Sequence, residues 1–206
     1  MSAALQEITE LIKAQKIEDQ TSLNTIKQDI AKKYKLSKTP TNIEILTSLR
    51  KEEITEFKKI LLSKPTRTIS GVSPVAIMTA PSRCPHGKCT FCPGGLSSPW
   101  GDVPQSYTGH EPATMRGIRN DYDSYLQVFN RLQQYVLMGH SFDKIEIIIM
   151  GGTFPAEPQE YQEEFVYGLF KAMNDFSVLF FDAQGDFDFL KFKELTETVF
   201  EQIKGK

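Results

Sequence analysis

The run Lys144-Ile-Glu-Ile-Ile-Ile-Met150 constrains the fold more than any other stretch. It is nearly continuous apolar, β-branched sequence of strand length, the pattern expected of a parallel strand covered on both faces. It ends in Gly151-Gly152-Thr153, and Pro158 then opens a helical pattern through Tyr161, Phe165, Leu169, Phe170 and Met173. Upstream, Val72 to Met78 is a second short apolar run that reads as a strand. Between the two, Asp121 to Leu137 has helical periodicity, with Tyr125, Val128, Phe129, Leu132 and Val136 as its buried face and Gly139-His140 as its stop. The order strand, loop, helix, strand, Gly-Gly loop, helix predicts an α/β fold with parallel strands. Residues Phe176 to Phe189 are aromatic and Asp-rich around Gly185 and carry no clear period, and Lys191 to Ile203 reads as an amphipathic helix.

Parallel α/β sheets place their chemistry at the carboxyl ends of the strands. The loop after the first predicted strand is Cys84-Pro-His-Gly-Lys-Cys89-Thr-Phe-Cys92-Pro-Gly-Gly, which holds all three cysteines of the chain. Three clustered thiols with no others to pair with point to a shared metal or cluster rather than to disulfides. The C-x4-C-x2-C spacing lets two thiolates converge around a tight turn and swings in a third from the preceding loop. Three ligands leave one coordination position open, and an open position is a site for chemistry. A [4Fe-4S] cluster held this way keeps one iron free to bind S-adenosylmethionine through its amino and carboxylate groups. Phe91 stands beside the last cysteine, where it could meet an adenine, and Gly151-Gly152-Thr153 ends the next strand on the same face. The competing reading is structural zinc, with His86 as fourth ligand to Cys84, Cys89 and Cys92, in a non-catalytic RNA-binding module. The span from Pro93 to Asn120 is rich in Gly, Pro and Ser, holds the only Trp, Trp100, and reads as a long irregular loop lining a site.

Before the first strand the chain is helical. Ser2 to Lys16 places Leu5, Ile8, Leu11 and Ile12 on one side. After the capping candidates Thr21 and Ser22, a second helix carries Leu23, Ile26, Ile30 and Tyr34. Thr41 or Asn42 caps a third helix through Ile43, Ile45, Leu46 and Leu49. A fourth, Glu52 to Leu62, has Ile54, Phe57 and Ile60-Leu61 as its core face, and Lys64 to Gly71 reads as a linker. Net charge is −2, yet residues 1–67 carry 13 Lys and Arg against 9 Asp and Glu, while 68–206 carry 11 against 17. The halves therefore stand at +4 and −6. Lys27, Lys32, Lys33, Lys35 and Lys38 cluster on the second helix and just beyond it, on the expected outer surface of a compact bundle that suits a polyanionic partner. There is no apolar run of about 18 residues, so no membrane span is expected. Met1-Ser-Ala-Ala-Leu-Gln-Glu lacks the layout of a signal peptide, which leads to an expected cytoplasmic location.

Three motifs in order are similar to the Elongator catalytic subunit in its archaeal form. They are the cysteine loop, Gln105-Ser-Tyr-Thr-Gly-His-Glu-Pro-Ala-Thr-Met-Arg-Gly-Ile-Arg119, and Asp143-Lys-Ile-Glu-Ile-Ile-Ile-Met-Gly-Gly-Thr-Phe154. The likeness runs from about Ile69 to the end of the chain, and the helical start also suits that form. It implies a basic tRNA-binding module over residues 1–68, followed over 69–206 by the first βα units of a partial radical S-adenosylmethionine, TIM-like barrel. It implies further that Cys84, Cys89 and Cys92 hold a [4Fe-4S] cluster, that Phe91, Gly151, Gly152 and Thr153 contact S-adenosylmethionine, and that Lys144 contacts acetyl-CoA. By charge alone Lys144 is a solvated lysine before a strand. The activity implied is formation of 5-carboxymethyluridine at the tRNA wobble position. Lys27, Lys32, Lys33, Arg116 and Arg119 are the candidate RNA contacts, with pairing of the two arginines to Asp121 and Asp123 as the alternative. Self-association of the parent protein is a further expectation. Two parallel strands do not close a barrel, and the acetyltransferase-like domain of that family has no counterpart here, so the chain reads as the first part of a longer protein, inactive alone.

Overall fold

The computed structural model describes residues 3–15, 17, 19–61, 70–140 and 142–204. The chain forms two compact units. One holds the described residues of 1–70, 135–141 and 180–206, and the other those of 71–134 and 142–179. The C-terminal helix therefore groups with the N-terminal helices, a division that sequence order does not reveal.

In the first unit, α1 (Ala3–Gln15), α2 (Gln20–Lys33), α3 (Asn42–Ser48) and α4 (Lys51–Leu61) pack with α8 (Phe189–Lys204). The short α3 is the hub, touching α1, α4 and α8. Four of its neighbouring apolar side chains, Ile43, Ile45, Leu46 and Leu49, are buried. Its start is closed by a capping box. Thr41 Oγ1 accepts from the Glu44 amide, and the Glu44 carboxylate accepts from the Thr41 amide. At α2 the expected caps, Thr21 and Ser22, lie inside the helix, and the cap is Asp19, whose Oδ1 accepts from both of their amides at 2.9 Å. An ionised carboxylate is the better acceptor there because it also faces the positive end of the helix dipole. Tyr34, expected on the apolar face, is exposed at the helix end and donates to Glu7. Just before α8, Phe181 and Phe187 form an antiparallel bridge around Gly185, and Phe180, Phe187, Phe189 and Phe192 are buried together. Residues 64–69 of the expected linker, 64–71, fall outside the described residues.

The second unit is built on β1 (Ser73–Met78) and β2 (Ile145–Met150), paired in parallel from Ser73 against Ile145 to Met78 against Met150. Helices α5 (Pro112–Arg119) and α6 (Ser124–Leu137) lie in the connection, and α7 (Gln159–Phe180) follows β2 after a short 3-10 turn, Phe154–Ala156. The span Pro93 to Asn120 is thus not wholly irregular. Pro112 sits in the first turn of α5, where its missing N–H costs nothing. The core face of α7 is Phe165, Leu169, Ala172 and Phe176, which leaves Phe170 on the opposite, exposed side. β1 is the better covered strand, with Val75, Ile77 and Met78 fully buried. β2 departs from the expectation of cover on both faces, because Ile148 is 43% exposed and only β1 pairs with it among the described residues.

The outer edge of β1 is closed by side chains rather than by another strand. Residues 73 and 79 send their amides to β2, to Lys144 and Met150, so the even-numbered residues between them face away. Pro74 has no N–H to offer. The Ala76 carbonyl accepts from Arg116 Nη2 at 3.2 Å. Met78 is held at both groups by Gln127, whose Oε1 accepts its amide and whose Nε2 donates to its carbonyl, each at 2.9 Å. Gln127 is 1% exposed, so no water replaces it. Gln127→Leu should lower unfolding free energy by roughly 2 to 4 kcal/mol, since two buried backbone groups lose their partner. The control Asn174→Ala, on an exposed position of α7, should change it by less than about 0.5 kcal/mol. Urea denaturation of the two variants measures both.

Candidate metal and cofactor site

The parallel pairing brings the ends of β1 and β2 to one edge of the sheet. Past β1, Thr79 donates its amide to the Met150 carbonyl at 2.8 Å, and Ala80 donates its amide to the Tyr161 hydroxyl at 3.1 Å. Ser82 then bonds to the Glu157 carboxylate. These bonds steer the chain across the end of β2 and deliver Cys84 beside it. Cys84 Sγ lies 3.3 Å from Thr153 Oγ1.

The cysteine loop is two successive turns. The Gly87 amide donates to the Cys84 carbonyl, and the Cys92 amide to the Cys89 carbonyl, both at 3.0 Å. The second is the tight turn expected of the C-x2-C spacing. The three thiols are graded in exposure: Cys89 is exposed, Cys84 half-buried and Cys92 7% exposed. Each sulfur is turned toward a different partner, and among the described residues no three His, Cys, Asp or Glu side chains converge on one point. As a donor set, three thiols without a carboxylate suit a soft metal or an iron–sulfur cluster rather than a hard cation. A cavity of about 290 Å³ adjoins Cys84 and is lined also by Lys88, Gly94, Gly95 and Gln105. The glycines make this wall thin. A Cβ on Gly94 would lie 1.7 Å from the Tyr107 carbonyl oxygen, and one on Gly95 would lie 2.7 Å from Gln105 Oε1. By donor chemistry the three thiols suit an iron–sulfur cluster, while the positions of their sulfurs in this structure do not converge on one centre.

The end of β2 is equally intolerant of side chains. Gly151 has φ +145, and a Cβ there would lie 1.8 Å from Thr79 Oγ1. A Cβ on Gly152 would lie 3.1 Å from Gln105 Cβ and 3.7 Å from Cys84 Sγ. Phe91 is 95% exposed and Lys144 is exposed just before β2.

The candidate RNA contacts separate. Lys27 departs from the expected outer surface: it is 8% exposed and donates to Asn42 Oδ1 at 2.7 Å. Its burial lowers its pKa, with partial compensation from Glu44. Lys33 pairs with Glu7 at 2.6 Å. Lys32 is exposed and, with Lys35 and Lys38, lines a hollow of about 370 Å³. Arg116 is drawn onto the β1 edge, while Arg119 is exposed. Asp123 does not wait for an arginine alone, since its Oδ1 accepts from the Leu126 amide at the start of α6.

Three residues that sequence reasoning missed hold the site's wall. Gln105 fills the space between Gly95 and Gly152. Ser106 sends its amide to Cys92 Sγ at 2.9 Å. Glu111 gathers the Thr108 amide and hydroxyl, the Gly109 amide and the Thr114 hydroxyl on its carboxylate. The only signal for Glu111 was its place before Pro112.

A parallel strand pair whose first loop carries three thiols against the Gly-Gly end of the second strand defines an α/β protein with a cysteine-loop centre. Comparison with known proteins gives the family. The model of the ELP3 N-terminal domain matches residues 1–69. The tRNA uridine(34) acetyltransferase of Methanocaldococcus infernus is 49% identical over 176 residues, 85% of this chain and 33% of that protein. Its Methanocaldococcus jannaschii counterpart is 57% identical over 135 residues, 66% of this chain and 25% of that protein. Elongator complex protein 3 of Drosophila melanogaster is 42% identical over 179 residues, 82% of this chain and 32% of that protein. The chain belongs to the Elongator protein 3 family and spans a quarter to a third of the length of these relatives.

Removal from water pushes the Glu111 carboxyl up, but hydrogen bonds from the Thr108 amide, from its own backbone and from the hydroxyls of Thr108 and Thr114 outweigh this and hold it at about 2. A depressed carboxylate stabilises the fold fully above its ordinary value of 4.5 and loses that contribution as pH falls toward about 2. Glu53, held at about 2 by Arg50 and Lys13, acts in the same window. Glu111→Gln should therefore flatten, without abolishing, the fall of Tm across that acid range, as measured by circular dichroism at stepped pH.

Proposed function

We propose that this chain is the cofactor-holding and tRNA-contacting part of a wobble-uridine-modifying enzyme of the radical S-adenosylmethionine class, with acetyl-CoA as co-substrate. The observation that carries the reading is the contact of Cys84 with Thr153, which joins the three-thiol loop to the Gly-Gly end of β2. The names of the relatives supply the tRNA uridine.

In this reading Cys84, Cys89 and Cys92 hold a [4Fe-4S] cluster. When bound, such a cluster would supply the single electron for reductive cleavage of S-adenosylmethionine, the chemistry by which this class of enzyme activates an unreactive C–H bond. The chain's own residues bind and orient. The bare backbone of Gly151 and Gly152 lets a ligand approach the strand end closely, and the Thr153 hydroxyl faces the same space. Phe91, free on the loop surface, offers a flat apolar face to an adenine. Lys144 offers a cation to the phosphates of coenzyme A. Lys32, Lys35 and Lys38 offer three exposed ammonium groups to the tRNA backbone, and Arg119 is a fourth exposed cation. Lys27 and Arg116 are occupied within the fold, and Lys33 shares its charge with Glu7.

Anaerobic reconstitution with iron and sulfide should give a brown protein with cluster absorption and, with dithionite and S-adenosylmethionine, deoxyadenosine. Cys84→Ala, Cys89→Ala and Cys92→Ala should each abolish the colour. A colourless protein carrying one zinc would sink the radical reading.

For tRNA, Lys32→Ala, Lys35→Ala and Lys38→Ala should each weaken binding and reduce the slope of log affinity against log salt by about 1. Lys27→Ala should leave the slope alone and lower stability instead. Filter binding across a salt series reads the slopes, and unchanged slopes in all three surface variants would remove the assignment.

A further inference from the structure

Each of the three cysteine sulfurs lies within hydrogen-bond distance of a polar group on a different residue. Cys84 Sγ lies 3.3 Å from Thr153 Oγ1, and Cys89 Sγ lies 3.0 Å from His86 Nε2. Cys92 Sγ accepts the Ser106 amide at 2.9 Å, with the Ser106 hydroxyl 3.7 Å away and the Gly94 carbonyl 3.8 Å away. The three donors come from the end of β2, from the turn inside the cysteine loop and from the stretch beyond it.

The arrangement is costly to maintain, which argues that it is built. Ser106 holds φ +73, a left-handed conformation that a residue with a side chain adopts at a cost. Its amide serves the most buried of the three sulfurs, where a thiolate most needs a donor in place of water. Chemistry fixes the direction of the bonds once the sulfurs bind metal. A ligated thiolate carries no proton, so the Thr153 hydroxyl and the His86 Nε2–H must donate. At Cys92 the contact to the Gly94 carbonyl lapses with the thiol proton, and the Ser106 N–H remains.

We propose that Thr153, His86 and the Ser106 amide are positioning donors, one to each cysteine sulfur, that offset thiolate charge in the cluster-loaded loop and raise its reduction potential. This rests on the cluster reading given above. Hydrogen bonds to sulfur stabilise the more negative, reduced state over the oxidised one, so losing a donor lowers the potential.

The test uses the full chain reconstituted with iron and sulfide, titrated with dithionite while visible absorption and the electron paramagnetic resonance of the reduced cluster are followed. His86→Leu and Thr153→Val remove a donor, while His86→Gln and Thr153→Ser keep one. With iron content unchanged, each apolar variant should lower the ratio of reduced to oxidised cluster at a fixed potential about tenfold, a shift of ~59 mV for one electron. The two conservative variants should return it toward the unaltered protein. If both apolar variants titrate with the unaltered protein, the proposal is overturned. Loss of iron in His86→Leu and His86→Gln alike would make His86 a ligand and overturn it as well. Should one position fail to fold when changed, the pair of variants at the other decides. An unaltered chain that takes up no iron overturns the cluster reading itself, and the donor assignment falls with it.

Discussion

The parallel pairing of β1 with β2 is the constraint on which the rest of the second unit depends. Because the strands run the same way, the loops that follow them leave from one edge, and residues nearly seventy positions apart in sequence meet there. Cys84 and Thr153 are neighbours for that reason alone. An antiparallel pair would send the two loops to opposite ends of the strands, and neither the Gly-Gly turn nor the cysteine turn would have anything to do with the other. The register is secured at both ends, by the Ser73 amide on the Lys144 carbonyl and the Thr79 amide on the Met150 carbonyl. A slip of one residue would turn Val75 and Ile77 out of the core.

The sheet is asymmetric, and the asymmetry has a physical origin. Open strand edges invite pairing with whatever backbone is near. On β1 that hazard is removed three times over, by Pro74, by Arg116 on Ala76 and by Gln127 on Met78. β2 carries no comparable devices among the described residues, and its Ile148 is half-exposed. The closure also explains why Arg116 and Gln127, two side chains that composition would send to the surface, are drawn inward. A backbone carbonyl or amide without a partner in a dry place costs more than the burial of a long polar side chain that can satisfy it.

Much of this was legible in the sequence, and the parts that were not share a cause. The strands, the two following helices and the Thr41 cap carry local signals of period, β-branching or cap chemistry, and those signals act over a few residues. In the cysteine loop the tight turn from Cys89 to Cys92 is legible because a C-x2-C spacing is itself a local turn signal. What was illegible depends on distant partners. Nothing near Lys27 says that Asn42 will face it, and its periodic neighbours Leu23 and Ile30 place it one turn along the buried stripe only in hindsight. Helix α5 was hidden in a Gly- and Pro-rich span because Pro112 reads as a breaker when it is a starter. The cover of β2 was overestimated because an apolar run states what a strand can tolerate, whereas its exposure is set by which elements come to lie on it.

The burial order of the three thiols ties the loop to this scaffold. Cys92 is deepest and takes a donor from the backbone, a group that among substitutions only proline removes and that the left-handed Ser106 presents. Cys84, half-buried, is served by a side chain at the end of a strand, and so is fixed only as well as β2 is fixed. Cys89 is exposed, and its donor His86 lies three residues away on the same turn. Support therefore follows burial rather than sequence order, from Cys92 through Cys84 to Cys89. A centre shared by these sulfurs would be anchored at Cys92 and Cys84 and closed by Cys89, which is the order in which a loop can fold around a ligand without first ordering its most exposed end.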